Sequence, residues 1–343
     1  VQGGKHLVER LAIYPDYAQD AQRWLDPAFA QAVLNRVDAS GLARTDTWSP
    51  GIDMAPPVAI TTASPNVPEL DRLLSRAQTG ETLAEGEVER LFAARGGEVD
   101  AVCQAADALR QSVNGDQVSY VVVRNINYTN ICYFKCQFCA FSKGKLSENL
   151  RGRPYDLSLE EIGRRVAEAW DRGATEVCMQ GGIHPEYTGQ TYLDILAAVK
   201  AAAPDMHIHA FSPLEVYQGA ETLGISLPAF LAQLQDAGLG SLPGTAAEVL
   251  DEEVRRVLCP DKLTVDQWLE VMEAAHGVGF RTTATIMFGH VDRPIHWARH
   301  LLRLRALQAR TGGFTELVPL PFVHMEAPIY LKGRARMGPT YRE

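Results

Sequence analysis

The sequence predicts an α/β fold, a partial (β/α)6 TIM-like barrel behind a helical N-terminal extension. Six short β-rich runs follow Gly115, each trailed by an amphipathic helical stretch, mostly at intervals of roughly thirty to forty residues. No strand pattern precedes them. Three cysteines crowd together just after the first run, on the side of a parallel sheet where α/β architectures carry their sites.

Residues 1–50 carry short helical patterns at 18–25 and 26–29, with Asp26 as an N-cap and Pro27 in the first turn. The chain opens on Val1 instead of Met and stops at Glu343 without an evident terminator, so it reads as a fragment of something longer whose barrel is truncated at the C-terminus. Residues 51–68 turn to Pro, Thr, Ser and Gly, as in Pro56-Pro57 and Ser64-Pro65, and read as a linker. Residues 69–114 have apolar spacing for two helices, punctuated by Gly80 and Gly96-Gly97, and form a helical lead-in.

The barrel occupies 115–343, with strands expected at 118–123, 176–179, 207–211, 240–243, 282–287 and 315–320. Between them lie helices such as 158–172, opened by a capping box of Ser158 and Glu161, and 264–276. Strands alternating with helices imply a parallel sheet, and right-handed crossovers curl it. Six units instead of eight favour an open barrel over a closed ring.

Hydrophobic residues make up 46% of the 343, enough for a large core. Thirty-three Lys and Arg against 42 Asp and Glu leave a net charge of -9, which gives no positive footprint for nucleic acid. No run approaches the roughly 18 apolar residues of a membrane span, and the N-terminus lacks the regions of a signal peptide. A cytoplasmic protein without membrane or nucleic-acid partners is expected. In that reducing compartment the grouping of Cys132, Cys136 and Cys139 argues for metal, not disulfides. Cys178 reads as a small buried apolar residue, and Cys103 and Cys259 carry no functional pattern.

The cysteine run is C-x3-C-x2-C. Three thiolates on one short loop can ligate three irons of a [4Fe–4S] cube and leave the fourth iron open. A structural zinc site normally closes with four ligands, and no partner pair with finger-like spacing follows. The competing reading is three incidental cysteines, or a zinc knuckle completed by a distant histidine.

With Phe138 at the aromatic position before Cys139, the run resembles the radical S-adenosylmethionine (radical SAM) enzymes, whose open iron binds the cofactor's amino and carboxylate groups. Residues 124–132, 176–182, 207–213 and 243–248 together resemble one branch, the CofH half of FO synthase, which in actinobacteria is fused behind a CofG half. The resemblance covers roughly residues 70–343, and residues 1–50 resemble the tail of a CofG half. The cysteine loop of the CofG half is absent, so this chain alone is not expected to complete FO. The resemblance implies a [4Fe–4S] cluster, S-adenosyl-L-methionine and a low-potential electron donor. It implies hydrogen abstraction from L-tyrosine, scission of its Cα–Cβ bond and transfer of the 4-hydroxybenzyl group to 5-amino-6-(D-ribitylamino)uracil, with dehydroglycine leaving. The implied protein partner is a fused CofG-like half.

Other positions follow from the same strand ends. Gly181 and Gly182 let backbone approach a ligand closely. In the resemblance they stand where a Gly-Gly-Glu motif holds the methionyl amine, with Ile183 replacing the acid; a plain turn is the alternative. Glu248, near a helix start, is expected to contact the SAM ribose or amine, or else to be a solvated first-turn acid. Gly289 ends the fifth strand near where related barrels pack adenine, or makes a turn. Asn125 and Asn127 share a face, and Asn127 is expected to contact substrate, the alternative being an amide network. His207 and His209 share a face likewise, with His209 a substrate contact or a satisfied core histidine. Glu316, His290 and His324 are further candidates of that sort. Two other functions stay open: an aminofutalosine-type radical SAM enzyme of menaquinone biosynthesis, and a non-catalytic iron–sulfur electron-transfer module.

Overall fold

The computed structural model describes residues 67–140 and 154–339, with residues 13, 17, 18, 20–34, 36, 37 and 43 of the N-terminal stretch. The expected linker therefore lies outside the described residues except for Val67 and Pro68. The chain divides into two units, 1–61 and 62–343. In the first, α1 (Ala21–Trp24) and α2 (Pro27–Leu34) are helical, and the Asp26 carboxylate accepts from the Ala28 amide at 2.8 Å, the bond expected of an N-cap.

The second unit opens with three helices, α3 (Pro68–Gln78), α4 (Glu85–Phe92) and α5 (Gly97–Asn114), where two were expected. The extra break falls between Phe92 and Gly97, where Gly96, the residue before α5, takes a φ of 56° that costs little only for glycine. The barrel elements follow: β1 (Val123–Asn127), α6 (Leu159–Asp171), β2 (Glu176–Gln180), α7 (Gly189–Ala202), β3 (His207–Ala210), α8 (Pro213–Leu223), α9 (Leu227–Asp236), β4 (Ser241–Leu242), α10 (Glu252–Leu258), α11 (Val265–Val278), β5 (Arg281–Phe288), α12 (Pro294–Thr311), β6 (Phe314–Pro321) and α13 (Pro328–Leu331).

The six strands pair in chain order, every neighbour parallel, and form the expected half-barrel with β1 and β6 as its edges. The first strand begins later than the sequence suggests. Val118 and Tyr120 are 91% and 89% exposed, because a strand needs a partner and β2 offers its first residue, Glu176, opposite Val123. The capping box at Ser158 is half made: Ser158 accepts from the Glu161 amide, but the Glu161 carboxylate is taken by Arg164 and Arg165, each at 2.7 Å.

Alternation along the strands assigns the two faces. Ile126, Val177, Met179, Ile208, Ala210 and Leu242 enter one apolar core with Ile162, Val166, Ile195 and Leu196 of α6 and α7. Asn125, Asn127, Cys178, Gln180, His209 and Ser241 are left for the concave face. The lead-in packs on α12, with Phe92 edge-on to Trp297 at 5.1 Å and Arg299 paired to Glu85 at 3.1 Å. Among the described residues, no helix is long and apolar enough to cross a membrane.

Candidate active site

A cavity of about 570 Å³ opens at the C-terminal ends of the strands. Its first wall comes from β1 to β3. Past β1 the chain is pinned by residues 155–157: the Thr129 hydroxyl donates to the Tyr155 carbonyl at 2.8 Å, and Asn130 accepts from the Tyr155 amide at 2.8 Å. The cysteine loop then runs between two supports. On the β2 side, the Gly182 amide donates to the Thr129 carbonyl (2.9 Å) and the Tyr133 amide to the Ile183 carbonyl (3.1 Å). On the other, the Gln137 amide donates to the Leu258 carbonyl (2.7 Å), and the Ile329 amide to the Gln137 carbonyl (2.8 Å).

Cys132, Cys136 and Cys139 are all half-buried and all line the cavity, with Phe134 and Phe138 beside them. Burial pushes the Cys132 and Cys136 thiols up, so without a metal they are held neutral. A cationic centre reverses that balance, and three sulfur donors on one loop facing one cavity fit an iron–sulfur cluster. Cys259, remote in sequence, lies in the apolar cluster against which Cys136 packs.

Gly181 and Gly182 line the cavity, but the space beside them is filled by protein. A Cβ on Gly181 would stand 2.3 Å from the Tyr128 ring, and one on Gly182 2.3 Å from the Ile131 carbonyl oxygen and 2.9 Å from Cys132 Cβ. The glycines let β2 close against the cysteine loop. Beneath them lies Glu215, 1% exposed, which the sequence reading missed. One oxygen accepts from Tyr128 and from the Gly181 amide at 3.0 Å, the other from the Ser212 hydroxyl and amide, the latter at 2.6 Å. Burial raises its pKa, against the lowering effect of those donors. Its sequence signal was Ser212-x-x-Glu215, a capping box at the start of α8.

The second wall comes from the segment after β4 and from β5. Glu248, buried at 8% exposure, pairs with Lys262 at 2.7 Å, and the Lys262 ammonium stands 5.5 Å from the Phe138 ring centre. Burial alone would lower the Lys262 pKa, but the carboxylate of Glu248 and the neighbouring Cys136 hold it protonated, above its ordinary value. Ala246 and Glu248 have φ of 65° and 49°, a left-handed backbone unusual outside glycine. The Thr245 hydroxyl, on the same loop, is buried with no hydrogen-bond partner.

Asn127 and Gln180 present side-chain amides to the cavity. His209 does not line it. It sits one register step lower on the concave face, its Nδ1 2.7 Å from the Ser241 hydroxyl, which also meets His207 Nε2 at 2.9 Å. Burial, then the neighbouring His207, lowers its pKa to about 4, so it is neutral at physiological pH. Asn125 is exposed on that face, and Glu316 is exposed on β6. Gly289 is not among the cavity-lining residues: with φ of 95° it makes a turn, its amide donating to both Asp292 oxygens at 3.0 Å, and a Cβ would meet Pro339 at 2.4 Å. His290 faces Asp292 at 3.1 Å and His324 stacks edge-on with Tyr330 at 4.6 Å, so both serve that C-terminal packing.

Comparison with known proteins follows the same lines. The family model of the Radical SAM superfamily matches residues 126–304. The FO synthase of Streptomyces coelicolor is 42% identical over 385 residues, covering 99% of this chain and 44% of that protein. The FO synthase of Mycobacterium tuberculosis is also 42% identical, with 45% of its length covered, so the chain spans less than half of these relatives. The 5-amino-6-(D-ribitylamino)uracil--L-tyrosine 4-hydroxyphenyl transferase of Methanopyrus kandleri is 49% identical over 237 residues, 69% of this chain and 63% of that protein. Among solved structures, methylornithine synthase (PylB) aligns at TM-score 0.52 and 18% identity, covering 75% of this chain and 70% of that one. The maturase HydG from Carboxydothermus hydrogenoformans aligns at TM-score 0.55 and 19% identity, covering 74% and 56%. At those identities the structural likeness concerns the fold alone.

Proposed function

The chain belongs to the radical SAM superfamily, and from that premise we propose that it carries the CofH-type activity of FO synthesis, transfer of the 4-hydroxybenzyl group of L-tyrosine to 5-amino-6-(D-ribitylamino)uracil. The observation that carries this reading is the convergence of Cys132, Cys136 and Cys139 on one cavity, in a chain 49% identical to a transferase named for that reaction. When bound, a [4Fe–4S] cluster with an open iron supplies the one-electron reduction that splits SAM.

The chain's own residues supply the rest. The three cysteines hold iron, and Phe134, Phe138, Ile183, Leu214 and Met287 give the cavity apolar walls that keep water from a reactive intermediate. Asn127 offers an amide to the polar edge of a substrate, and neutral His209 can accept a proton or hydrogen bond lower on the same face. Gly181 and Gly182 act through the corner they permit, and Glu248 would contact the ribose or amine of SAM. Residues 1–50 are read as the tail of a CofG-like half joined by the 51–68 linker. The matches support this: FO synthases align over 99–100% of the chain and the separate transferase over 69%. A low-potential reductant and a cytoplasmic setting, where thiols stay reduced, complete the proposal.

Anaerobic incubation with SAM, dithionite, tyrosine and the diaminouracil, read by mass spectrometry, tests it. A tyrosine-derived uracil adduct is expected together with 5'-deoxyadenosine. Cluster-loaded protein that cleaves SAM but forms no adduct overturns the transferase reading.

A further inference from the structure

We propose that the aminouracil acceptor lies along the concave face of the half-barrel, its ring held by Asn127 and Gln180 and its ribityl chain running down the sheet over His209 and Ser241. The proposal rests on the transferase reading above and adds the orientation of the acceptor and the residues that select it. Asn127 and Gln180 are register partners on β1 and β2, so their amides stand side by side on the cavity wall. Each amide offers an acceptor and donors, the complement of a pyrimidinedione edge on which carbonyls alternate with N–H groups. Among the described residues, the one side-chain bond that either makes runs from the Gln180 nitrogen to Cys178 Sγ, a weak contact at 3.7 Å.

One step down the same face the surface stays polar. Asn125, Cys178, His209 and Ser241 form a row across β1 to β4, and none of them is buried. Successive positions on one face of a strand are about 6.6 Å apart, a distance that a ribityl chain spans. His209 Nδ1 is engaged by the Ser241 hydroxyl at 2.7 Å, which leaves Nε2 for a ligand, and burial keeps the ring neutral. The same hydroxyl meets His207 Nε2 at 2.9 Å, and Gly240 makes room for that ring, since a Cβ there would stand 2.3 Å from His207 Cε1. A hydroxyl between two imidazoles donates to one and accepts from the other, and either arrangement suits a polyol, whose hydroxyls do both. The foot of the sheet is acidic. Glu176 lies 3.7 Å from His207, and Glu316 on β6 is near enough to oppose its ionisation, while Arg281 turns away to the Gly312 carbonyl. Those acids favour a neutral chain over a phosphorylated one.

The test measures binding to the anaerobically reconstituted chain by equilibrium dialysis in the presence of SAM, with iron content determined for every variant. The probes are 5-amino-6-(D-ribitylamino)uracil, its 5'-phosphate and 5-amino-6-(methylamino)uracil, which lacks the polyol. Wild type is expected to prefer the ribityl compound to the methylamino one by about tenfold to a hundredfold, the range that a few net hydrogen bonds supply. It should bind the phosphate more weakly than the free polyol. His209→Ala and Ser241→Ala should each cut the preference by about threefold to tenfold. Gln180→Ala should weaken both unphosphorylated uracils alike and leave the preference intact. Because the preference is a ratio taken within one protein, a variant that folds in lower yield still reports it. An unchanged ratio in both His209→Ala and Ser241→Ala, in protein that still forms the adduct, overturns the ribityl assignment and leaves the transferase reading standing. A ratio lost in Gln180→Ala and kept in His209→Ala reverses the orientation and overturns it equally. A phosphate bound as tightly as the free polyol overturns the placement of the chain above the acidic foot of the sheet. Cluster-loaded wild type that binds none of the three and forms no adduct overturns both readings.

Discussion

Along the β1–β3 wall of the cavity the buried acid Glu215 is closed in by Tyr128, Gly181 and Ser212, each donating to it, and the glycines beside it have no room for a methyl group. Along the β4–β5 wall the buried acid Glu248 has a single charged partner, a strained backbone and an unsatisfied hydroxyl next to it. Both acids come from the loop or first turn after a strand, and both line the same cavity. Scaffold and site separate here by the number of partners each acid has. An acid with every lone pair engaged by its own chain holds elements together, and one with capacity to spare beside strain is available to a ligand.

Replacing a cysteine of the loop the two walls share gives the largest expected effect. Cys136→Ala is expected to abolish the iron–sulfur cluster, and with it all turnover. Because Cys259 packs near Cys136, the double variant Cys136→Ala/Cys259→Ala guards against a substitute ligand. Native iron and sulfide content in that double variant would show the ligand assignment to be wrong.

Next come the polar residues of the concave face. Asn127→Ala should keep the cluster and SAM cleavage but lower adduct formation by about 10²–10³, using a lost transition-state hydrogen bond as the guide, and His209→Ala, which lies off the cavity wall, should lower it by less. Parallel loss of 5'-deoxyadenosine and adduct would move these residues to the SAM side of the cavity.

The contrast between the walls is sharpened most directly by Glu215→Gln. One amide oxygen cannot satisfy four donors, so a cost of about 1–3 kcal/mol in stability is expected, read by denaturant unfolding of the apo chain. SAM affinity of the folded protein should be retained. A variant of full stability with weakened SAM binding would reverse the roles assigned to the two acids.

The smallest effect is expected from starting the chain near Val67. Tyrosine transfer should persist, since the strands, the cavity and the lead-in all lie beyond that point. A shortened protein that folds and loads its cluster but is inactive would place residues 1–66 in the site.

The parts of this molecule legible in sequence are those written locally. Cys132, Cys136 and Cys139 lie within one loop, and the six β/α units show as alternating composition. Their strands differ from the expected runs mainly at β1, where Val118 to Val121 have strand character but β2 offers them no partner in the ladder. Gly289 and Gly182 look alike in sequence, each ending a strand, yet one meets Pro339 and the other the cysteine loop. Lys262 was not legible because its meaning depends on Glu248 and Phe138, brought to it by folding. Glu215 was hidden by a plausible local role, a helix cap that it also fills.

The bonds between Gln137 and the end of the described chain set an order of assembly. Each strand pairs with its sequence neighbour, so the sheet can grow as the chain emerges, one unit docking on the last. The cysteine loop cannot finish on that schedule. Its far support is α13, where the Ile329 amide donates to the Gln137 carbonyl and Lys332 meets the Gln137 side chain across 195 residues of chain. A barrel interrupted after β5 would keep the brace at Leu258 but lack the holds at Ile329 and Lys332. The proposed metal cage is thus complete only once α13 has docked, and protection of the Ile329 amide in pulse-labelled hydrogen exchange is expected to lag behind that of the β1–β3 strands.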